Sequence, residues 1–257
     1  MAPLLLRAAE TLVEQNGLSS AHATFVEPTQ VQHFLEAGWL IREDRQFHWD
    51  NDGYASFDDF LGALASRKRK AIRKERAAAL ADGIEVETLT GADLQEKHWD
   101  AFWRFYQDTG SRKWGRPYLT RKFFSFATER MADRIVLMLA KRGTKYIAGA
   151  LNFAGEHTLY GRYWGCSEDV PFLHFELCYY QAIDWAIAHG RKRVEAGAQG
   201  EHKLARGYLP AITYSAHYLA DPRFRQAVAD YLDHERRAVE AEAAALTEMG
   251  PFRSNED

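Results

Sequence analysis

The period of the hydrophobic positions changes several times along the 257-residue chain, and each change predicts an element. Residues 4–16 read as a short helix stopped by Gly17, and Ala23-Thr24-Phe25-Val26 as a strand. A small helix over 29–37 ends at Gly38. Trp39-Leu40-Ile41-Arg42 is extended, and Gln46-Phe47-His48-Trp49 alternates polar and aromatic as a half-exposed strand does. After the Asn51-Asp52-Gly53 turn, one long helix is predicted from Ser56 or Asp58 to about Ala81. Asp58 and Asp59 stand in its first turn, Gly83 lies past its end, and Phe60, Leu64 and Ile72 form its apolar stripe. Ile84-Glu85-Val86-Glu87-Thr88-Leu89 has the period of a strand. Helices over 94–107 and 120–132 flank a polar loop holding Gly110, Gly115 and Pro117. Strand-like runs over 134–141, 145–153 and 157–163 are separated by Gly143 and Gly155-Glu156, which predicts antiparallel hairpins. A strongly apolar helix over 175–189 stops at Gly190. Strands over 193–196 and 211–219 follow, then a final helix from Pro222 to about Leu246 and a disordered tail over 251–257.

A composition of 46% hydrophobic and 27% charged residues is that of a folded soluble protein. The apolar runs are too short for a membrane span, and Met1 to Leu6 shows no leader pattern. Cys166 and Cys178 supply neither a disulfide framework nor metal-ligand spacing, so a reducing cytoplasm is expected, with no metal. The net charge of −3 conceals a polarity. Arg67-Lys68-Arg69-Lys70-Ala71-Ile72-Arg73-Lys74-Glu75-Arg76 is locally +6, which leaves −9 for the rest.

From residue 84 the predicted order β, α, α, β, β, β, α, β, β resembles the acyltransferase fold of acetyl-CoA-dependent N-acetyltransferases. The expected class is α+β, with a mixed, mostly antiparallel sheet. Residues 1–55 have αβαβ character but are too few to close a sheet alone.

Several segments resemble the FemAB-like family of predicted bacterial N-acyltransferases linked to peptidoglycan. They include Gln46-Phe47-His48-Trp49, Phe57-Asp58-Asp59-Phe60-Leu61, Tyr163-Trp164-Gly165, Leu173-His174-Phe175-Glu176 and Cys178-Tyr179-Tyr180-Gln181. The most specific run goes from Glu195-Ala196-Gly197-Ala198-Gln199-Gly200-Glu201-His202-Lys203 to Arg206-Gly207-Tyr208-Leu209-Pro210. The resemblance implies two tandem acyltransferase domains that move an amino acid from charged tRNA to an amine of a peptidoglycan precursor. It divides the chain into the end of a first domain (1–55), a basic connecting helix (56–82), an N-acetyltransferase-like domain (83–250) and the tail (251–257). Family members carry a longer N-terminal portion, so only the end of a first domain is expected here.

The glycine-bracketed loop over 197–203 carries the candidate chemistry. Aminolysis of an ester needs a proton acceptor, and positive charge or donors for the developing oxyanion. His202 or Glu201 is expected to accept the proton and Lys203 to stabilise the oxyanion; the bland alternative is a surface loop in which Glu and Lys pair. The resemblance places Lys203 and Arg206-Gly207-Tyr208 in the region where a lysine of Fem-type enzymes contacts the reacting substrate. Trp164, His174, Glu176, Gln199, Arg206 and Tyr208 are the candidate substrate-binding residues. Glu176 is either a carboxylate of raised pKa on an apolar helix or a first-turn group facing the helix dipole. The junction Gly165-Cys166-Ser167-Glu168-Asp169-Val170-Pro171-Phe172 has one glycine and two carboxylates, which weakens an acyl-CoA pyrophosphate cradle. Arg67, Lys68, Arg69, Lys70 and Arg73 suit tRNA phosphates, or are simply a solvated face.

No permanently bound cofactor is expected; the donor is aminoacyl-tRNA or, alternatively, acyl-CoA, and the acceptor an amine such as that of a peptidoglycan precursor. A non-catalytic module recognising peptidoglycan precursor or RNA is the rival of a different class.

Overall fold

The computed structural model describes residues 2–112 and 117–253. In chain order the elements are α1 (Ala2–Gln15), β1 (Ser20–Val26), α2 (Val31–Glu36), β2 (Leu40–Asp50), α3 (Phe57–Ala63), α4 (Ser66–Ala79), β3 (Ile84–Leu89), α5 (Glu96–Arg112) and α6 (Arg121–Met131). Then come β4 (Ile135–Arg142), β5 (Lys145–Ala154), β6 (Thr158–Cys166), α7 (Leu173–Phe175), a π-helical turn (Glu176–Tyr180), α8 (Gln181–Ala188), β7 (Arg193–Glu195), β8 (Leu209–Leu219) and α9 (Pro222–Glu248). The predicted mixed α/β class, with a mostly antiparallel open sheet, is the one observed. Gly115 of the predicted loop and residues 254–257 of the predicted tail lie outside the described residues.

The chain forms two compact units: Met1–Gln46 with Pro210–Met249, and Phe47–Leu209 with Gly250–Asp257. These are not the consecutive segments expected from the sequence. The last strand and helix group with the first 46 residues because β8 pairs antiparallel with β1, from Ser20↔Leu219 to Val26↔Tyr214. Arg42 fixes α9 to β2 through a two-pronged pair with Glu235 (2.8 and 2.9 Å), and Arg236 reaches Glu43 at 3.2 Å. Trp39, Ile41, Val26, Leu6 and Ala216 form the core of this unit.

In the larger unit β4, β5 and β6 form the predicted antiparallel hairpins, and β3 pairs antiparallel with β4. The apolar runs of β4 and β5 are buried, and the aromatic face of α5 and α6 (Trp99, Phe102, Phe105, Phe124) packs against Ile135, Leu137, Leu139 and Leu151. Helix α5 comes so close to β6 that a Cβ on Gly165 would lie 2.4 Å from the Phe105 carbonyl oxygen, so only glycine fits there. Strand β7 runs parallel to β6 for three pairs, Thr158↔Arg193 to Tyr160↔Glu195, and pairs antiparallel with residues 48–50 of β2.

The single helix predicted over 56–81 is two helices. Ser56 caps α3 by accepting from the Asp59 N–H (3.1 Å), and the helix ends at Leu64, whose ψ of 152° is extended. A segment far along the chain causes the break. Ala65 N donates to the Pro251 carbonyl (2.9 Å), Arg253 N to that of Ala63 (3.1 Å), and Leu64 bridges Phe252. Pro251 to Arg253 are thus ordered against α3, contrary to the expected tail.

Candidate active site

Beyond Tyr160 and Glu195, strands β6 and β7 part. A cavity of about 660 Å³ lies where they do, entirely within the larger unit. One wall is β6 from Gly161 to Trp164, with Ala150 to Asn152 of β5 behind it. Another is His174, Cys178 and Tyr179 from α7 and the π turn, and the third is the loop from Ala196 to Lys203.

The sequence builds this loop with two glycines in the left-handed region, Gly197 (φ 77°) and Gly200 (φ 101°). Gly200 also makes room for a ring, since a Cβ there would sit 2.4 Å from Cε1 of His202. A short 3-10 helix, residues Glu201–Arg206, follows and turns Lys203 inward. Lys203 is only 4% exposed. Its Nζ donates to the carbonyls of Ala196 (2.5 Å) and Gly197 (3.0 Å) and sits 5.7 Å from the centre of the Phe47 ring. Burial pulls its pKa from 10.5 to about 8. The Nε2 of His202 is 3.0 Å from the Tyr179 hydroxyl. Burial, and then the cations Arg206 and Lys203, hold the His202 pKa below its ordinary value, so the ring is neutral at pH 7. His174 packs edge-on against Trp164, Tyr179 and His202.

The cavity therefore brings together Lys203, His202, Trp164, His174 and Gln199 of the predicted set. It does not take in the others. Glu201 and His202 are both exposed at the start of the 3-10 helix, but His202 lines the cavity with Lys203 and Glu201 does not. Tyr208 is fully buried and donates to the Tyr179 carbonyl (3.2 Å), a core position.

Glu176 is fully buried and meets Arg76, with Nη2 at 3.0 Å and Nε at 3.1 Å, and it accepts from Gln181 at 2.8 Å. Asp184 shares the same guanidinium (3.2 Å). The predicted stripe of Glu176, Tyr180 and Asp184 thus faces α4, not substrate. Arg206 belongs to the same layer. It pairs with Glu75 (2.8 and 2.9 Å), lies 3.5 Å over the Phe175 ring and donates to the His202 carbonyl (2.6 Å).

On α4, Ile72 and Ala79 are buried. Arg67, Lys70 and Arg73 are exposed and Lys68 and Arg69 half-buried, and Arg73 meets Asp58 at 3.0 Å. Arg67, Lys68 and Arg206 border a second cavity of about 350 Å³. Glu168, expected to repel a pyrophosphate, is instead held by Arg142 (2.7 Å) and Lys145 (2.8 Å).

Arg162, Tyr179, Cys178 and Asn152 line the cavity without having been predicted. Tyr179 stands in a motif that carried the family resemblance, but its placement depends on the π turn. Arg162 sits at a β-bulge, which leaves no mark on the hydrophobic period.

The profile of the FemAB-like family, described as peptidoglycan biosynthesis/recognition, matches residues 1–254. The chain belongs to the FemAB-like family. No curated protein sequence matches it. Among solved structures, this FemAB-like chain resembles L-PGS from Bacillus licheniformis, with a TM-score of 0.65 at 10% identity over 98% of this chain and 79% of that one. It also resembles the C-terminal domain of a lysylphosphatidylglycerol synthetase described as putative from Agrobacterium fabrum (TM-score 0.61, 12% identity, 90% and 77% covered). FemX matches with a TM-score of 0.58 at 14% identity, over 88% of this chain and 78% of that one. At these identities the likeness is one of fold. No helix among the described residues is long and apolar enough to cross a membrane.

Proposed function

We propose that this FemAB-like chain is a cytoplasmic acyltransferase that moves an aminoacyl group from tRNA to an amine, such as that of a peptidoglycan precursor, in the cavity between β6 and β7. The observation that carries the reading is the buried Lys203 amine at the cavity wall, held by two backbone carbonyls, with His202 lining the same cavity. The family's description and the fold shared with FemX support it.

The acceptor nitrogen attacks the aminoacyl ester carbon, forming the C–N bond. The carbonyl oxygen takes up negative charge, which the Lys203 ammonium stabilises. His202 takes the proton from the attacking nitrogen, with Tyr179 fixing its ring. The C–O bond to the ribose then breaks, and the leaving hydroxyl departs with that proton. Arg67, Lys68, Arg69, Lys70 and Arg73 of α4 contact tRNA phosphates. Trp164, His174 and Gln199 bind the substrate.

The test is tRNA binding by fluorescence anisotropy at two salt concentrations, alongside transfer assays with aminoacyl-tRNA and with acetyl-CoA. Salt-weakened tRNA binding, and transfer from aminoacyl-tRNA alone, are expected. Transfer from acetyl-CoA alone would replace the donor. Binding without transfer from either would reduce the chain to a recognition module.

A further inference from the structure

The cavity wall carries two cations, Arg162 and Lys203, and no carboxylate among its described lining residues. Arg162 occupies the bulge of β6, where the register steps from Tyr163↔Leu151 to Gly161↔Asn152 and leaves it without a cross-strand partner. Bulges re-aim the side chains they carry, and Arg162 borders the cavity. Its guanidinium donates to the Tyr118 hydroxyl (2.8 Å) and lies 4.5 Å from the centre of the Tyr163 ring, both neutral groups. Lys203 likewise gives its hydrogen bonds to two carbonyls. Among the described residues, no Asp or Glu lines the cavity.

Four other cations of this unit are placed differently. Arg76, Arg121, Lys141 and Arg206 each meet at least one carboxylate. A concave site with cations and no anions leaves the negative charge to be supplied by what binds there. A guanidinium presents a planar fork that fits a carboxylate in two-pronged fashion.

We infer that Arg162 is a specificity-determining residue that receives a free carboxylate of the amine acceptor, so that the acceptor is an amino acid or peptide acid. Polyamines and amidated peptides are poor acceptors by the same logic, since they bring positive charge or no charge to a cationic wall. The word acceptor rests on the transferase reading; the carboxylate receptor does not. The carboxylate is held by charge and hydrogen bonds and takes no part in bond-making.

Binding and transfer are measured separately. Isothermal titration of the wild type with lysyl-alanine and with its C-terminal amide is expected to favour the acid about tenfold. Arg162→Gln removes the preference, Arg162→Lys keeps part of it, and Tyr118→Phe, which deletes only a neutral hydrogen-bond partner, keeps it. Added salt shrinks it. Equal affinity for acid and amide, no binding of either, or a preference that survives Arg162→Gln would overturn the inference. So would Arg162-dependent binding of adenosine 5′-monophosphate with Arg162-independent peptide binding, which would assign the guanidinium to a donor phosphate. Arg162-dependent binding of the acid without any aminoacyl transfer would leave the receptor standing and remove the transferase reading.

Discussion

Two sets of basic side chains in the larger unit look alike in sequence and behave differently in space. Under α4, Arg76 and Arg206 are enclosed by Glu176, Asp184 and Glu75, and rings of Phe57 and Phe175 lie 4.3 and 3.5 Å from their guanidinium carbons. At the cavity, Lys203 and Arg162 meet carbonyls, a hydroxyl and aromatic faces. A cation balanced by a buried carboxylate holds the fold in place, because either partner alone would be a desolvated charge. A buried cation without one adds little to stability and is available to a substrate. The difference lies in the neighbours, and it separates a structural layer from a reactive one less than one helix turn away in sequence, between Lys203 and Arg206.

The comparison breaks most visibly at Arg76. Arg76→Ala leaves the fully buried Glu176 without its guanidinium, and the expected loss is about 3–5 kcal/mol in urea denaturation. A loss below about 1 kcal/mol, the range of exposed pairs, would show that the layer is not held by charge.

The pH dependence of stability distinguishes the two sets next. The Lys203 pKa is depressed in the folded chain, to about 8 from 10.5, so between those values the native state binds fewer protons than the unfolded one. Stability therefore rises with pH across that window, by a few kcal/mol at about 1.4 kcal/mol per unit. In Lys203→Met this rise is expected to disappear. Transfer should follow the same group in the other direction, falling above pH 8 as the ammonium loses its charge.

A smaller effect is expected at Gly200. Gly200→Ala forces a side chain into φ 101° and against the His202 ring, costing about 1–3 kcal/mol, with transfer reduced more than stability suggests. The smallest change in stability belongs to α4. Replacing Arg67, Lys68, Arg69 and Lys70 by Gln should leave the urea midpoint nearly unchanged, since none of the four is buried or paired with a carboxylate among the described residues. The same variant should lose tRNA affinity and flatten its salt dependence.

Most of the fold was legible because it rests on local periodicity. The buried runs of β4 and β5, the aromatic faces of α5 and α6 and the glycine stops all follow from residues close in sequence. What was not legible depends on distant partners. The break at Leu64 and Ala65 is made by Pro251 to Arg253, and the grouping of β8 with β1 by pairing across nearly the whole chain. Glu176 read equally well as a carboxylate of raised pKa or a first-turn group because its partner, Arg76, lies 100 residues away at the end of the basic run. In the site, two glycines around polar residues were enough to mark Gln199, His202 and Lys203. The bulge that presents Arg162 and the π turn that brings Tyr179 to His202 are backbone irregularities, and side-chain patterns do not encode them plainly.

The most direct measurement is a paired one on Lys203→Met: urea stability at pH 7, and transfer of a labelled amino acid from charged tRNA to a lysine-containing peptide acid. Stability should stay within about 2 kcal/mol of the wild type, since a desolvated amine and its two hydrogen bonds are lost together. Transfer should fall at least about 100-fold, as when a principal oxyanion donor is removed. Unchanged transfer in a stable variant would contradict the assignment of Lys203 as the oxyanion-stabilising group.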